Sequence, residues 1–224
     1  DYEKPSMKLG KVFIAEFGLK KLEQLGASTL PTNKKWKGKN KTPKTDLIGG
    51  THKISLKKHG GSQLMSAGTD EAISTFEAAM GRFSISKDGR KVVVALMGDI
   101  KDKMGSMSTK GTIGALEKKA EKTPKSKRSK ALKAQIKELD MLQVNADYLN
   151  DELNSLFEDD KFKKYFCWEA ASGESKFKPS PKGISNVIAT FKETGSLANV
   201  LELDSPSGAG KTLAKGNSFY VSFK

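Results

Sequence analysis

The chain has 224 residues, enough for one domain with an elaboration or for two small ones. Hydrophobic residues make up 36% of it and charged residues 29%, so a core cannot run along the whole length, and a single cysteine excludes a disulfide framework or a cysteine-rich zinc site. Forty Lys and Arg against 26 Asp and Glu leave a formal charge of +14, which favours a polyanionic partner, the plainer alternative being charge kept for solubility.

In chain order, residues 9–25 carry Val12, Phe13, Phe17, Leu22 and Leu25 at helical spacing, and Gly26 stops the pattern. Residues 33–44 form a positive loop with six lysines, Trp36, a glycine and a proline. Two strand-like runs follow, Asp46-Leu47-Ile48 and Lys53-Ile54-Ser55-Leu56-Lys57, with Gly49-Gly50 as the turn between them. A Gly/Ser loop at 59–69 leads to a helix that Thr69 can cap, with Asp70 and Glu71 in its first turn and Ala72, Ile73, Phe76 and Met80 on its apolar side. Residues 82–97 read as a strand pair, with Asp88-Gly89 as the turn and Lys91–Leu96 as a buried strand. From 105 to 130 the composition shifts to Gly, Ser, Thr and Lys, a linker or an exposed helix. Leu132, Ile136, Leu139, Leu142, Leu149, Leu153, Leu156 and Phe157 then predict one helical stretch over 131–165. A helix near 182–192 and strands at Asn199–Leu203 and Ser218–Phe223 complete the pass. There is no apolar run of 18 residues to cross a membrane, no visible signal peptide and no internal repeat.

The stretch from 46 to 71 concentrates chemistry. Strand alternation puts Lys53, Ser55 and Lys57 on one face and turns Ile54 and Leu56 to the core. Asp46 opens the neighbouring strand across a tight turn, and Glu71 stands in the first turn of the next helix. Hydrolysis of a phosphodiester calls for these types: carboxylates to hold Mg²⁺ or Mn²⁺, and a cation beside the attacking water. Asp46 and Glu71 are the candidate ligands, with the Leu56 main-chain carbonyl as a further one, and Lys57 is the water-side cation.

Asp46 followed by Ser55-Leu56-Lys57 resembles the PD-(D/E)XK nuclease superfamily, whose signature is an aspartate and then an acid-X-lysine on a hairpin. Thr45 stands where proline is usual, with Pro43 close by, and Ser55 stands where the second acid is usual. One branch, resembling restriction endonucleases of the Cfr10I and NgoMIV type, has that serine and moves the acid onto the next helix, at about the interval from Ser55 to Glu71. The resemblance covers about residues 10–97, in the order helix, hairpin, helix, strand. It implies an α/β, restriction-endonuclease-like core with a central mixed sheet flanked by helices. It also implies a glutamate on the first helix, Glu16 or Glu23, and a role for Gln63 near the scissile phosphate. The stretch from Thr42 to Met65 and the run Glu169-Ala170-Ala171-Ser172-Gly173 with Lys176-Phe177 are similar to segments of proteins of large tailed bacteriophages. That similarity implies a phage source, with work in the host cytoplasm or in the virion.

Other signals are weaker. The loop residues Lys34, Lys35, Trp36, Lys37, Lys39, Lys41 and Lys44 are candidates for backbone-phosphate contact, with Trp36 stacking on a base or sugar. Ser205–Thr212 imitates a phosphate-binding loop but has Ser205 where a glycine is needed, and reads as a glycine-rich turn between strands. His52 and His59 lack companions at metal-ligand spacing, although His59 could touch DNA from its loop. Cys167, inside Tyr165-Phe166-Cys167-Trp168, reads as a buried small hydrophobe. The organisation expected is a nuclease-like core over 1–104, a basic linker and helical insertion over 105–165, and a C-terminal α/β part over 166–224 that completes the fold with a small β region. The function expected is Mg²⁺-dependent hydrolysis of DNA, more endonucleolytic than exonucleolytic, by a monomer or a homo-oligomer off the membrane. The alternatives are a non-catalytic DNA-binding or packaging protein and a factor acting on RNA.

Overall fold

The computed structural model describes residues 3–25, 43–60, 69–82, 91, 94–95, 97–98, 102 and 112–216. The chain divides into two compact units: Asp1–Ile85 with Asp159–Ser218, and Ser86–Glu158 with Phe219–Lys224.

The first unit is α/β, built on a five-stranded mixed sheet in the order β1-β2-β3-β4-β5. Helix α1 (Glu3–Glu16) ends where Gly18 takes φ +59°, which lets the Leu19 amide reach back to the Ile14 carbonyl at 2.9 Å. The helix expected over 9–25 therefore starts earlier and stops sooner, and its last part supplies β1 (Glu23–Gln24). Strand β2 (Leu47–Gly49) turns through Gly50, at φ +56°, into β3 (His52–Lys58), with Leu47 opposite Ile54. This is the expected hairpin. Helix α2 (Thr69–Arg82) follows as its pattern predicts.

The sheet is completed from far along the chain. Strand β4 (Val187–Phe191) lies parallel to β3, Ser55 opposite Ile188 and Lys57 opposite Thr190, and β5 (Leu197–Glu202) returns antiparallel to β4. The helix expected near 182–192 is thus a strand. Val187, Ile188 and Thr190 are β-branched, and Val187–Ala189 are buried on both faces, as parallel strands between helices usually are. Asn186 locks this pairing, its Oδ1 taking the Lys53 amide at 2.6 Å and its Nδ2 donating to the Thr51 carbonyl at 3.0 Å.

Each face of the sheet is covered. Leu9 and Phe13 of α1 pack on Ile54, Val187 and Ala189, and Phe13 is fully buried, a gain of about 1.5–3 kcal/mol for such a side chain. Trp168 and Ala171 of helix α5 (Asp160–Ser172) pack on Ile188, Leu203 and Ala209 on the other face. Helix α2 lies on α5 through Phe76, whose ring centroid is 4.8 Å from that of Phe166 and 6.2 Å from that of Phe162.

The second unit is helical where it is described. Helix α3 (Thr112–Lys122) passes through the 3₁₀ turn Lys125–Lys127 into α4 (Lys130–Leu156), and the Arg128 guanidinium bonds the Ala120 and Thr123 carbonyls across that corner. The stretch expected as one helix over 131–165 is broken, because the Asp159 side chain caps a new helix through the amides of Lys161 and Phe162. Residues 91, 94, 95, 97 and 98, expected in a buried strand or at its end, are helical. The expected strands at Phe83–Ile85 and Ser218–Phe223, and the turn at Asp88-Gly89, lie outside the described residues. Among the described residues no helix is long and apolar enough to cross a membrane.

Candidate active site

Asp46 sits at the mouth of the hairpin. Its amide donates to the Ile54 carbonyl at 2.8 Å, and its Oδ2 accepts the Leu56 amide at 2.7 Å. Ile54 and Leu56 therefore direct their main-chain groups to the β2 side of β3, since the N–H and C=O of alternate strand residues share an edge. Strand β2 starts only at Leu47, so no ladder residue stands opposite Leu56, and its carbonyl faces an edge that the described strands leave open. Burial pushes the Asp46 carboxyl above the usual aspartate range, against the Leu56 amide and the charges of Lys57 and Lys44.

Lys57 projects from the face of β3 that looks toward α5, beside Ser55, which is buried in the sheet. Its ammonium has no hydrogen bond or ion pair among the described residues. Burial lowers its pKa first and the charge of Lys44 second, while Asp46 and Glu71 pull it back. It is a half-buried cation in the field of two carboxylates and bonded to neither.

Glu71, in the first turn of α2, is buried, and one of its oxygens, Oε1, takes two ammonium groups: that of Lys44 in a short contact and that of Lys176 at 3.4 Å. Burial opposes its charge, but Lys44 and Lys176 outweigh burial and hold the carboxyl below its ordinary range. Lys176 is 1% exposed and also donates to Thr75 Oγ1 at 3.0 Å. Burial, aided by Lys44, takes the Lys176 ammonium down to about 7, with Glu71 and Glu169 resisting.

The run at 169–177 explains how Lys176 gets there. Gly173 ends α5 in the left-handed region, at φ +65°, and the chain turns back under the helix. The buried Glu169 carboxylate accepts the amides of Ser175 and Lys176 at 3.0–3.1 Å and fixes the turn. A side chain at Gly173 would meet the Lys44 stem at 2.8 Å and the Phe177 ring at 2.9 Å. Glycine is required there for two reasons, conformation and room.

Asp46, Ser55, Leu56, Lys57 and Glu71 are thus gathered at one end of the hairpin, and Lys44, expected on DNA, is buried with them. Sequence reading did not assign Glu169, Lys176 or Thr75 to the site. The signal was visible as a small-residue helix end, Ala170-Ala171-Ser172-Gly173, bracketed by an acid and a lysine. Lys34, Lys35, Trp36, Lys37, Lys39, Lys41 and Gln63 lie outside the described residues. Glu16 is exposed at the end of α1, and Glu23 is exposed and paired with Lys21 at 2.6 Å, so neither joins the cluster. His59 is exposed, its amide bonded to the Phe191 carbonyl, and His52 lies against Phe17 with ring centroids 4.8 Å apart. Cys167 is buried, which raises its thiol to about 12 and leaves it inert.

The run 205–212 is not a turn between strands. Pro206–Gly210 is a single π-helical turn that opens helix α6 (Lys211–Gly216). It also has an anion of its own: Asp204 Oδ1 accepts the amides of Ser205 and Ala209 at 2.7 and 2.9 Å, and Ser205 Oγ takes that of Gly208. The donors a phosphate would use are already engaged.

No family model matches this chain, and neither a curated protein nor a solved structure matches it. Among the described residues no group of three or more His, Cys, Asp and Glu side chains is placed to hold a metal ion. The oxygens at the hairpin mouth that could hold a divalent cation are those of Asp46 and the Leu56 carbonyl. One carboxylate, one main-chain oxygen, waters and the oxygens of a phosphate suit Mg²⁺, which keeps much of its hydration and needs few protein ligands. Glu71, whose Oε1 is shared by two ammonium groups, does not offer that oxygen to a cation.

Proposed function

We propose that the chain is a nuclease of the PD-(D/E)XK type that hydrolyses DNA phosphodiester bonds with Mg²⁺ or Mn²⁺, cutting within strands. The observation that carries this reading is the half-buried Lys57 ammonium, in the field of Asp46 and Glu71 and without a hydrogen bond or ion pair among the described residues. Helix, antiparallel hairpin and helix come in the expected order and support it, within an α/β unit whose sheet has helices on both faces. The strand parallel to β3, however, is supplied by β4, after α3, α4 and α5, and not by residues 82–97. The net charge of +14 supports a polyanionic substrate.

On this reading Asp46 and the Leu56 carbonyl hold the cation, which when bound polarises the phosphate and lowers the pKa of water. The Leu56 amide fixes Asp46 Oδ2 and leaves Oδ1 for that task. Lys57 Nζ donates to the attacking water or to a non-bridging phosphate oxygen and offsets the charge that grows on it. Its ammonium is better suited than a solvated one, because bound water need not be stripped from it at the moment of reaction. Ser55 is small enough to keep β3 close to the helix layer.

Nicking of supercoiled plasmid tests the proposal. Wild-type protein relaxes the plasmid with Mg²⁺ or Mn²⁺, whereas Asp46→Asn and Lys57→Ala bind it with the same salt dependence and leave it intact. Undiminished nicking by either variant removes the site. Steeply salt-dependent binding without cleavage by the wild type would instead identify a non-catalytic DNA-binding protein, and cleavage of RNA alone would change the substrate.

A further inference from the structure

We propose that Glu71, Lys44 and Lys176 form a buried positioning triad that holds the Asp46 segment against α2 and the turn after α5, and that Glu71 does not ligate the cation. The proposal rests on the nuclease reading only for what the triad positions.

Three separate pieces of chain meet at one carboxylate oxygen. Lys44 stands two residues before Asp46, Glu71 and Thr75 are one turn apart on α2, and Lys176 is in the turn after α5. Each piece is tied down independently. The Lys44 amide donates to the Gly183 carbonyl at 2.9 Å, Thr75 Oγ1 donates to the Glu71 carbonyl at 2.8 Å, and Glu169 holds the Lys176 amide. The Lys44 stem runs through the space that Gly173 leaves for lack of a side chain. Lys44 and Lys176 are 7% and 1% exposed, too deep to meet a nucleic acid. Their partner is inside the protein. Glu71 in turn has a full-time function in keeping two buried ammonium groups compensated, because removing one member of a buried ionic set strands the charge of the others.

The position of Asp46 follows. Its carboxylate can meet the Leu56 amide only while residues 43–46 lie along β3, and the Lys44 tether draws that segment onto α2. With Glu71 neutralised, the Lys44 tether loses its anchor on α2, and Lys176 loses the carboxylate that holds its proton against burial.

The test measures Mn²⁺ affinity by electron paramagnetic resonance and urea unfolding on the full-length chain, without nucleic acid. Glu71→Gln should lower the urea midpoint by about 1 M and weaken Mn²⁺ binding about tenfold. The double variant Glu71→Gln with Lys176→Met removes the most deeply buried amine together with the carboxylate it needs, and should recover most of the midpoint and bring Mn²⁺ affinity to within about twofold of wild type. A lost ligand cannot be recovered by deleting a lysine. If the double variant regains stability while its Mn²⁺ affinity stays as poor as that of Glu71→Gln, Glu71 ligates the cation and the proposal is overturned. It is equally overturned if the double variant unfolds as early as the single one. Should wild-type protein bind no Mn²⁺, the cation site of the nuclease reading fails, and the triad stands or falls on the recovery of the urea midpoint.

Discussion

Asp46 and Asp204 both take main-chain amides, the first that of Leu56 and the second those of Ala209 and Ser205, yet they titrate in opposite directions. The amides of Ala209 and then Ser205 hold Asp204, at the surface, below the ordinary aspartate range, whereas burial pushes Asp46 above it. Asp204 closes a turn and is content there. Asp46 lies where charge is costly, beside Lys57, which has no hydrogen bond or ion pair among the described residues. A phosphate-like sequence motif is a poor guide to where an anion can bind; the donors left unoccupied are a better one.

The largest effect that would break this contrast is catalytic. Lys57→Ala should lower Mg²⁺-dependent nicking by at least about 100-fold, the usual loss for a group that stabilises charge in the transition state, while Lys211→Ala leaves nicking unchanged. Next is packing around the triad. Gly173→Ala combines a left-handed φ with a clash against Lys44, and should cost about 2–4 kcal/mol in chemical denaturation.

Asp46→Asn should lose activity yet unfold later than wild type at neutral pH in EDTA. The sign follows from the raised pKa: the folded state prefers the protonated carboxyl, so ionisation costs stability once the pH passes the ordinary aspartate range, and asparagine avoids that cost. Asp204→Asn should behave oppositely, unfolding earlier than wild type at neutral pH. Because its folded pKa is depressed, the difference should be full above the ordinary aspartate pKa and close as the pH falls through the folded value. The smallest effect is again at Lys211. Lys211→Ala should reduce the salt slope of DNA binding by no more than about 1.

The hairpin and α2 were legible because both are local: Gly49-Gly50 makes the turn, and apolar residues at helical spacing follow Thr69. The candidate acids and lysine were legible for the same reason, all lying within 46–71. The rest depends on partners remote in sequence. Val187–Phe191 is a strand because β3 and β5 flank it, and its short run of apolar and β-branched residues was the available clue. Residues 91–98 carry a β-branched run, Val92-Val93-Val94, and no local rule favoured the helical state found for the described ones. Lys44 read as a loop lysine for DNA, and Lys176, 132 positions further on, had no site role, since nothing local announces that a carboxylate on α2 will bury them.

Strand β3 meets β4 through Asn186, which bonds Lys53 and Thr51 across 133 and 135 positions of chain. During synthesis at about 5–20 residues per second, the hairpin waits on the order of ten seconds for the neighbour that completes its sheet. Until then one edge of β3 is bare, Glu71 lacks Lys176, and closing so long a loop makes assembly slow. A fragment ending before residue 180 should accordingly aggregate or be digested rapidly by protease, and should not nick DNA. On the nuclease reading, the hairpin carries no cutting activity until β4 has been made.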